Sequence, residues 1–157
     1  MKDFEITIPV TEIKYDELSE HDRVLVEAAK AATFRSYSPY SHFSVGAAIR
    51  LANGEVVTGS NQENAAFSAG TCAERSACFY AGAQYPDVDF ECIAIAARGT
   101  DGKFLDDPVS PCGVCRQALL EYEARSGAKI TVLMVAAEKV YRLPSVSSLL
   151  PFAFVEF

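Results

Sequence analysis

Two short segments of the chain place cysteines next to groups that can act together with a metal ion. In "CAERSA", Cys72 lies two positions before Glu74 and three before Arg75. In "SPCGVCRQ", Cys112 and Cys115 lie three positions apart. Residues three positions apart share one face of a helix, so both thiols of the second segment can reach the same ion. The two segments together predict a site with thiolate ligands.

The expected metal is zinc in a catalytic setting. Pro111 precedes the second cysteine pair and predicts the start of a helix there, and a helix N-terminus favours the thiolate form of cysteine. Three protein ligands and an open fourth position are typical of catalytic zinc, whereas structural zinc has four protein ligands. Neither His21 nor His42 lies in a recognisable metal motif, so water is the expected fourth ligand.

Glu74 is the candidate group for moving protons. In a regular helix, positions i and i+2 face apart, so Glu74 and Cys72 converge only if Cys72 lies at the entry to the helix. In that case the carboxylate lies beside the metal ion, where it can take a proton from water and return it. The alternative is an acidic residue in a first helical turn, which the helix dipole favours by itself.

Two other interpretations of the cysteines remain open at this point. A single C-x-x-C is also found in redox pairs and as half of a structural zinc site. Cys78 or Cys92 would then complete a four-cysteine site. Both lie inside apolar runs, which is more typical of buried cysteines that pack as small hydrophobic residues.

The composition limits the class of protein. The 157 residues suit one domain; 50% are hydrophobic and 22% are charged. The net charge of −7 disfavours a nucleic acid as partner, and no apolar run approaches the roughly 20 residues of a membrane span. Five cysteines without a signal-peptide pattern fit a reducing compartment. We therefore expect a cytoplasmic protein that binds neither nucleic acid nor membranes.

The pattern of apolar residues predicts alternating helices and short strands. The alternation in "FEITIPV", residues 4–10, predicts a short edge strand, and Ser19 with Asp22 resembles a capping box that opens a helix. "FSVGAAIRL" and "EVVTGSN", joined by "ANG", predict a β-hairpin. Residues 72–85 and 112–125 are predicted as helices. Further strands are predicted at 90–97, "AKITVLMVAA" and "KVYRL", and a short terminal helix at "SVSSLLP". This order predicts an α/β fold, a three-layer α/β/α sandwich with one central mixed sheet.

The two cysteine segments, C-A-E-R and P-C-x-x-C-R-Q, resemble the zinc-dependent cytidine deaminases of the cytidine/deoxycytidylate deaminase superfamily. Further blocks resemble that family in the same order, namely "YSPYSHFSVGAAI", "GSNQENAA" and "LLPFAF". The resemblance implies a single cytidine-deaminase-like catalytic domain over 18–157. Residues 1–17 remain as an N-terminal extension that the family does not explain.

The resemblance also implies roles for individual residues. By this resemblance, Cys72, Cys112 and Cys115 are the ligands of one Zn²⁺ per chain, and Glu74 is the proton shuttle. Asn61 and Glu63 bind the ribose 3′-hydroxyl, and Phe43 is the aromatic residue that packs against the pyrimidine. Arg75 offsets the negative charge of the thiolates. Phe67 departs from the family pattern, since many members have tyrosine at that position. Phe154 matches an aromatic residue that reaches a neighbouring subunit's site.

The implied activity is hydrolytic deamination of cytidine and deoxycytidine to uridine and deoxyuridine, with release of ammonia, in pyrimidine salvage. The implied assembly is a homo-oligomer, with a tetramer favoured. A same-fold deaminase of another substrate, such as blasticidin S, is the alternative within enzymes. A non-catalytic, zinc-stabilised binding module is the alternative outside them, and it would need a fourth protein ligand.

Overall fold

The computed structural model describes residues 1–155, so the last two residues of the predicted domain, 18–157, lie outside the described residues. The strands and helices are β1 (Thr11–Lys14), α1 (Glu20–Ala32), β2 (Ser44–Leu51), β3 (Val56–Ser60), α2 (Ala73–Gln84), β4 (Phe90–Arg98), α3 (Gly113–Ser126), β5 (Thr131–Val135) and β6 (Lys139–Leu143). A short 3₁₀ helix, Val146–Leu149, follows β6 in place of the predicted terminal helix.

The strands form one six-stranded sheet in the order β1-β6-β5-β4-β2-β3. β4 and β5 are parallel, with Ile93 opposite Val132, and α3 connects them. The other neighbouring pairs are antiparallel. The predicted mixed sheet is confirmed.

Side chains on the two faces of the sheet belong to two separate hydrophobic clusters. The cluster with α2 and α3 takes Ile49, Ile93, Ile95, Val132 and Leu143 from the strands. The cluster with α1 takes Ala48, Cys92, Ala94, Leu133 and Val140. This alternation follows from the two-residue period of a strand, which sends neighbouring side chains to opposite faces. Helices therefore cover both faces, and the predicted three-layer sandwich is confirmed.

Glycine lets α2 lie very close to the hairpin strand β3. A Cβ atom on Gly59 would lie 2.6 Å from the carbonyl oxygen of Ala73 and 2.5 Å from the backbone nitrogen of Ala77. Both clashing atoms belong to the helix backbone, so a rotamer change cannot relieve the overlap. Ala73 is the first residue of α2, and the close approach therefore fixes where this helix begins relative to the sheet.

Local signals place several element ends where the sequence predicts them. The Ser19 hydroxyl accepts a hydrogen bond from the backbone N–H of Asp22 at 3.2 Å. Ser19 is thus the N-cap residue, and α1 begins at Glu20. The β2–β3 hairpin turns through Gly54, whose φ is +88°. Gly127 ends α3 in the left-handed conformation, with φ +70°.

The prediction of a strand over residues 4–10 is wrong. The first strand begins at Thr11, whose partner in the antiparallel pair with β6 is Arg142. A strand needs a neighbour for its backbone N–H and C=O groups, and pairing begins only after Pro9, which has no N–H to donate. Residues 11–14 of the N-terminal extension thus form one of the two edge strands of the sheet. None of the helices in the described residues has the length and apolar character that a membrane crossing requires.

Candidate metal centre and substrate cavity

The N-termini of α2 and α3 bring three thiols together. Cys72 is the N-cap residue of α2, Cys112 is the N-cap residue of α3, and Cys115 lies in the first turn of α3. The Cys112 sulfur lies 3.8 Å from that of Cys72 and 3.5 Å from that of Cys115. All three sulfurs lie within 4.8 Å of one another. The two sequence segments therefore meet in one cluster.

The spacing of the sulfurs fits a zinc ion. With Zn–S bonds of about 2.3 Å, two ligands of a tetrahedral site are about 3.8 Å apart. Among the described residues, the cluster contains no fourth ligand from the protein. Three thiolates and one position open to a small molecule match the donor set of catalytic zinc rather than structural zinc.

The remaining two cysteines lie outside the cluster. Cys92 packs with α1 on the opposite face of the sheet. Cys78, on α2, is fully buried in the hydrophobic cluster between the sheet and the helices α2 and α3. Burial raises the pKa of each of these thiols to about 12, so both stay protonated at neutral pH. Their packing as small hydrophobic residues is confirmed, and neither completes a four-cysteine site.

The three clustered thiols do not ionise independently. Hydrogen bonding from Cys115 lowers the pKa of Cys72 to about 5, with a further contribution from Arg75. The same contact raises the pKa of Cys115, because a second thiolate would be formed against the first. A divalent cation removes this repulsion, so full deprotonation of the cluster and metal binding go together.

Arg75 lies beside the thiol of Cys72. One of its terminal guanidinium nitrogens, Nη2, is 4.0 Å from the Cys72 sulfur. Its Nε is buried and has no hydrogen-bond partner among the described residues. The guanidinium thus places a permanent positive charge next to the Cys72 sulfur, and its role in offsetting the charge of the thiolates stays a prediction.

Glu74 is buried in the first turn of α2, with 4% of its surface exposed. Because Cys72 is the extended N-cap residue and not part of the helix, both side chains line the same cavity. Burial raises the pKa of the Glu74 carboxyl, and the neighbouring Cys72 thiolate raises it further. A carboxyl with a raised pKa is suited to giving and taking protons near neutral pH.

A cavity of about 290 Å³ adjoins the thiols. Its walls include Phe43, Asn61, Glu63, Glu74 and the ligands Cys72 and Cys112, with apolar surface from Val45, Ile95 and Val109. The six predicted site residues in this wall come from separate parts of the sequence, and the fold brings them to one cavity. The volume is near the lower end of the range for small-molecule sites, about 300–1,000 Å³.

Asn61 uses its side chain to organise the wall of the cavity. Its amide oxygen accepts hydrogen bonds from the Ser36 hydroxyl at 2.6 Å and the Val45 N–H at 2.8 Å. Its amide nitrogen donates to the carbonyl of Phe43 at 2.9 Å. Among the described residues, the other N–H of that amide has no hydrogen-bond acceptor. Asn61 thus has the loop-stabilising role that asparagine commonly has, in addition to facing the cavity.

Glu63 is held in place by the loop that precedes Phe43. Its carboxylate accepts the backbone N–H groups of Tyr40 at 2.9 Å and Ser41 at 3.3 Å, as well as the hydroxyl of Ser41. These bonds, with the Ser41 hydroxyl contributing most, lower the pKa of Glu63 and keep it ionised. The result is a fixed anionic acceptor at the edge of the cavity.

A wider groove of about 550 Å³ continues from the cavity towards solvent. Ser41, Asn61, Glu63 and Cys72 line both spaces. Phe67 and Tyr40 contact each other edge to face across the groove, with ring centroids 6.0 Å apart. Phe67 is 81% exposed, and it brings an apolar ring where a tyrosine would bring a hydroxyl.

Phe154 lies at the end of the described chain and is tied to α3. Its carbonyl oxygen accepts a hydrogen bond from the Gln117 side chain at 2.8 Å. The ring does not line either of the two spaces next to the thiols in this chain. A contact with another subunit's site stays a prediction.

Two residues without a predicted role make contacts near the thiols: Ser41 lines the cavity, and Arg116 bonds the two residues before Cys112. Ser41 lies in "YSPYSHF" and Arg116 lies in "SPCGVCRQ", so both were in segments recognised as family blocks. Their partners are a carboxylate 22 positions away and a carbonyl 33 positions away. Only the folded chain shows contacts over such separations.

Comparison with known proteins gives a consistent result. Residues 19–131 match the family described as the cytidine and deoxycytidylate deaminase zinc-binding region. The cytidine deaminase of Sporosarcina psychrophila is 37% identical over 130 residues, covering 83% of this chain and 88% of that protein. The crystal structure of cytidine deaminase from Burkholderia pseudomallei has a TM-score of 0.70 and 36% identity, and it covers 87% of this chain and 100% of its own. The crystal structure of cytidine deaminase from Mycobacterium tuberculosis has a TM-score of 0.65 and 30% identity. The match covers 83% of this chain and 94% of that chain.

Zinc content provides the test of the thiol cluster. We expect Cys72→Ala, Cys112→Ala and Cys115→Ala each to lose most of the metal after dialysis, because two thiolates hold the ion much less tightly than three. Cys78→Ala and Cys92→Ala are the matched controls and should keep about one zinc per chain, measured by atomic emission. Loss of zinc from a folded control variant would show that the ligand set is wrong.

Proposed function

Since this chain belongs to the family of cytidine and deoxycytidylate deaminases, we propose that it hydrolyses cytidine and deoxycytidine to uridine and deoxyuridine, releasing ammonia. The observation that carries the proposal is the cluster of three thiols, two of which line one cavity together with a buried carboxyl. The family matches and the donor set agree on zinc as the cofactor. The roles of individual residues are part of the proposal.

Zinc, when bound by Cys72, Cys112 and Cys115, makes a water molecule acidic enough to attack at neutral pH. Glu74 takes a proton from that water and delivers it to N3 of the pyrimidine while the oxygen adds to C4. The same carboxyl then transfers the second proton of the water to the exocyclic amino group, which leaves as ammonia. The buried position of Glu74 supports this role, because burial favours the neutral acid between the two transfers.

The other side chains that line the cavity suit a nucleoside. The Glu63 carboxylate and the remaining N–H of Asn61 provide an acceptor and a donor for the ribose 3′-hydroxyl. The Phe43 ring provides an apolar surface for the pyrimidine. Hydrogen bonds to the loop hold Glu63 before any ligand binds. The side chain therefore loses little conformational entropy when the nucleoside binds.

Arg75 balances charge at the centre. Three thiolates and one Zn²⁺ carry a net charge of −1, which makes the ion a weaker Lewis acid than it would be with neutral ligands. The guanidinium 4.0 Å from the Cys72 sulfur withdraws electron density from that ligand. The N-termini of α2 and α3 act in the same direction.

The alternatives are less well supported. A blasticidin S deaminase would share the zinc chemistry, but the ribose wall at Asn61 and Glu63 favours a nucleoside. A non-catalytic zinc module needs a fourth protein ligand, which the cluster lacks among the described residues. A deaminase of polynucleotides is disfavoured by the net charge of −7.

We place the reaction in pyrimidine salvage, because its substrates are free nucleosides. We also place the protein in the cytoplasm, where a reducing environment keeps thiolate ligands from forming disulfides. All five cysteines are unpaired thiols, which fits that compartment.

The Glu74→Gln variant tests the proton transfer. We expect kcat for cytidine to fall by about 10²–10⁴-fold with zinc retained, because the amide has the same shape but cannot accept the proton. Glu27→Gln, an equivalent change at an exposed site on α1, is the control and should keep wild-type turnover. Near-wild-type activity of a zinc-loaded Glu74→Gln enzyme would rule out the shuttle.

The Glu63→Gln variant tests the ribose contact. We expect kcat/KM for cytidine to fall by about 10–100-fold, because an amide oxygen is a weaker acceptor than a carboxylate. The measurement is repeated with 2′,3′-dideoxycytidine, which lacks the 3′-hydroxyl and should be nearly insensitive to the change. An equal loss on both substrates would show that Glu63 shapes the loop and does not bind that hydroxyl.

We propose a homotetramer in which Phe154 approaches the site of a neighbouring chain. Exposed aromatic residues beside the groove and at the end of the chain support this assembly: Phe67 is 81% exposed, Phe152 84% and Phe154 67%. Such residues are enriched in protein interfaces. Sedimentation equilibrium should give four times the chain mass, and a fully active monomer would exclude the assembly.

A further inference from the structure

We infer that Arg116 is a positioning residue for the metal ligand Cys112. Its guanidinium holds the segment that carries Cys112 against the C-terminal 3₁₀ helix. The inference depends on the zinc site proposed above, and it concerns the geometry of that site rather than the reaction.

Arg116 makes three hydrogen bonds with three different acceptors. Its Nε donates to the carbonyl of Pro111 at 2.8 Å, and its Nη2 donates to the hydroxyl of Ser110 at 3.2 Å. Its Nη1 donates to the carbonyl of Leu149 at 2.9 Å. Two of the acceptors are therefore in the two residues before Cys112, and the third is far away in the sequence.

The segment before Cys112 has no regular secondary structure: an ion pair of Asp107 with Lys139 at 2.9 Å holds its early part, and Arg116 holds its last two residues. Residues 105–112 form no helix or strand, and no side chain caps α3 at Cys112. The Cys112 side chain is also the exposed member of the thiol cluster, whereas Cys115 is fully buried. The position of the Cys112 sulfur therefore depends on how the incoming chain is held, and Arg116 holds it one helical turn away.

The far end of this clamp is itself fixed to α3. The buried carboxylate of Glu123 accepts the backbone N–H groups of Val146 at 2.8 Å, Ser147 at 3.3 Å and Ile130 at 2.9 Å. This anchors the 3₁₀ helix whose last residue, Leu149, offers its carbonyl to Arg116. Glu123 and Arg116 both lie on α3. Glu123 binds the 3₁₀ helix, and Arg116 links that 3₁₀ helix to the two residues before Cys112.

Arginine is the side chain that this geometry requires. A planar guanidinium presents several donors in fixed directions, whereas a lysine ammonium is a single point that cannot reach three separated acceptors at once. Loss of the clamp would let the Cys112 sulfur move away from the 3.5 and 3.8 Å spacings that suit one ion. Residues that orient metal ligands typically change metal affinity by about 10–100-fold when they are removed.

The test compares zinc affinity in two arginine variants. Arg116→Met removes all three donors, and Arg98→Met is the matched control. Arg98 also makes three hydrogen bonds, to the hydroxyl and carbonyl of Thr33 at 2.9 and 3.2 Å and to the carbonyl of Gly102 at 3.4 Å. It lies on the α1 side of the sheet, away from the cavity. Zinc affinity is measured by competition with a chelator, and the absorption spectrum of the cobalt-substituted protein reports ligand geometry.

We expect Arg116→Met to bind zinc about 10–100-fold more weakly and to show an altered cobalt–thiolate spectrum. Arg98→Met should keep both properties even if its melting temperature falls as much. Arg116→Lys, which keeps the charge and much of the volume, should show an intermediate loss; it also provides the measurement if the methionine variant does not fold.

Two results would overturn the inference: zinc affinity within about twofold of wild type in the folded Arg116 variants, or an equal loss in Arg98→Met. The outcome is separate from that of the proposed function, because zinc affinity is measured without substrate. A wild-type protein that binds zinc tightly but leaves cytidine unchanged would contradict the function alone. An active wild type with clamp variants of unchanged zinc affinity would contradict the positioning role alone.

Discussion

Mutual repulsion among three thiolates is the constraint on which the site depends. Sulfurs 3.5 and 3.8 Å apart cannot all be charged without compensation, which explains why the pKa of Cys72 falls while that of Cys115 rises. The fold supplies two helix N-termini and the Arg75 guanidinium, and a divalent ion supplies the rest. This arrangement requires two helices to begin at one point, and the three-layer sandwich provides that.

The sheet is the support that brings the helix ends together. α2 and α3 lie on the same face of the sheet, on strands whose alternating side chains leave that face apolar. At Gly59 the backbone of α2 approaches β3 so closely that a methyl group would not fit, which fixes the start of the helix immediately after Cys72. Close packing of backbone against backbone leaves the first ligand little freedom.

The two groups of residues that line the cavity are organised by different means. The thiols lie at helix termini, while Glu63 and Phe43 lie on loops held by side chains. Asn61 connects Ser36 to the segment of Phe43 and Val45, and Ser41 bonds the Glu63 carboxylate. Such bonds leave both groups preorganised, so the cavity has a defined shape and charge without its ligand.

The sequence alone predicted which thiols cluster, which carboxyl lines the cavity beside them and how the layers are arranged, because spacing in C-A-E-R and P-C-x-x-C and the two-residue period of the strands are local properties. It failed at residues 4–10, where alternation resembled a strand, because pairing depends on a distant neighbour, β6. The loop bonds of Asn61 and the contact of Arg116 with Leu149 likewise appear only in the folded chain. These features depend on the folded chain, because hydrogen-bond partners far apart in sequence leave no periodic signal.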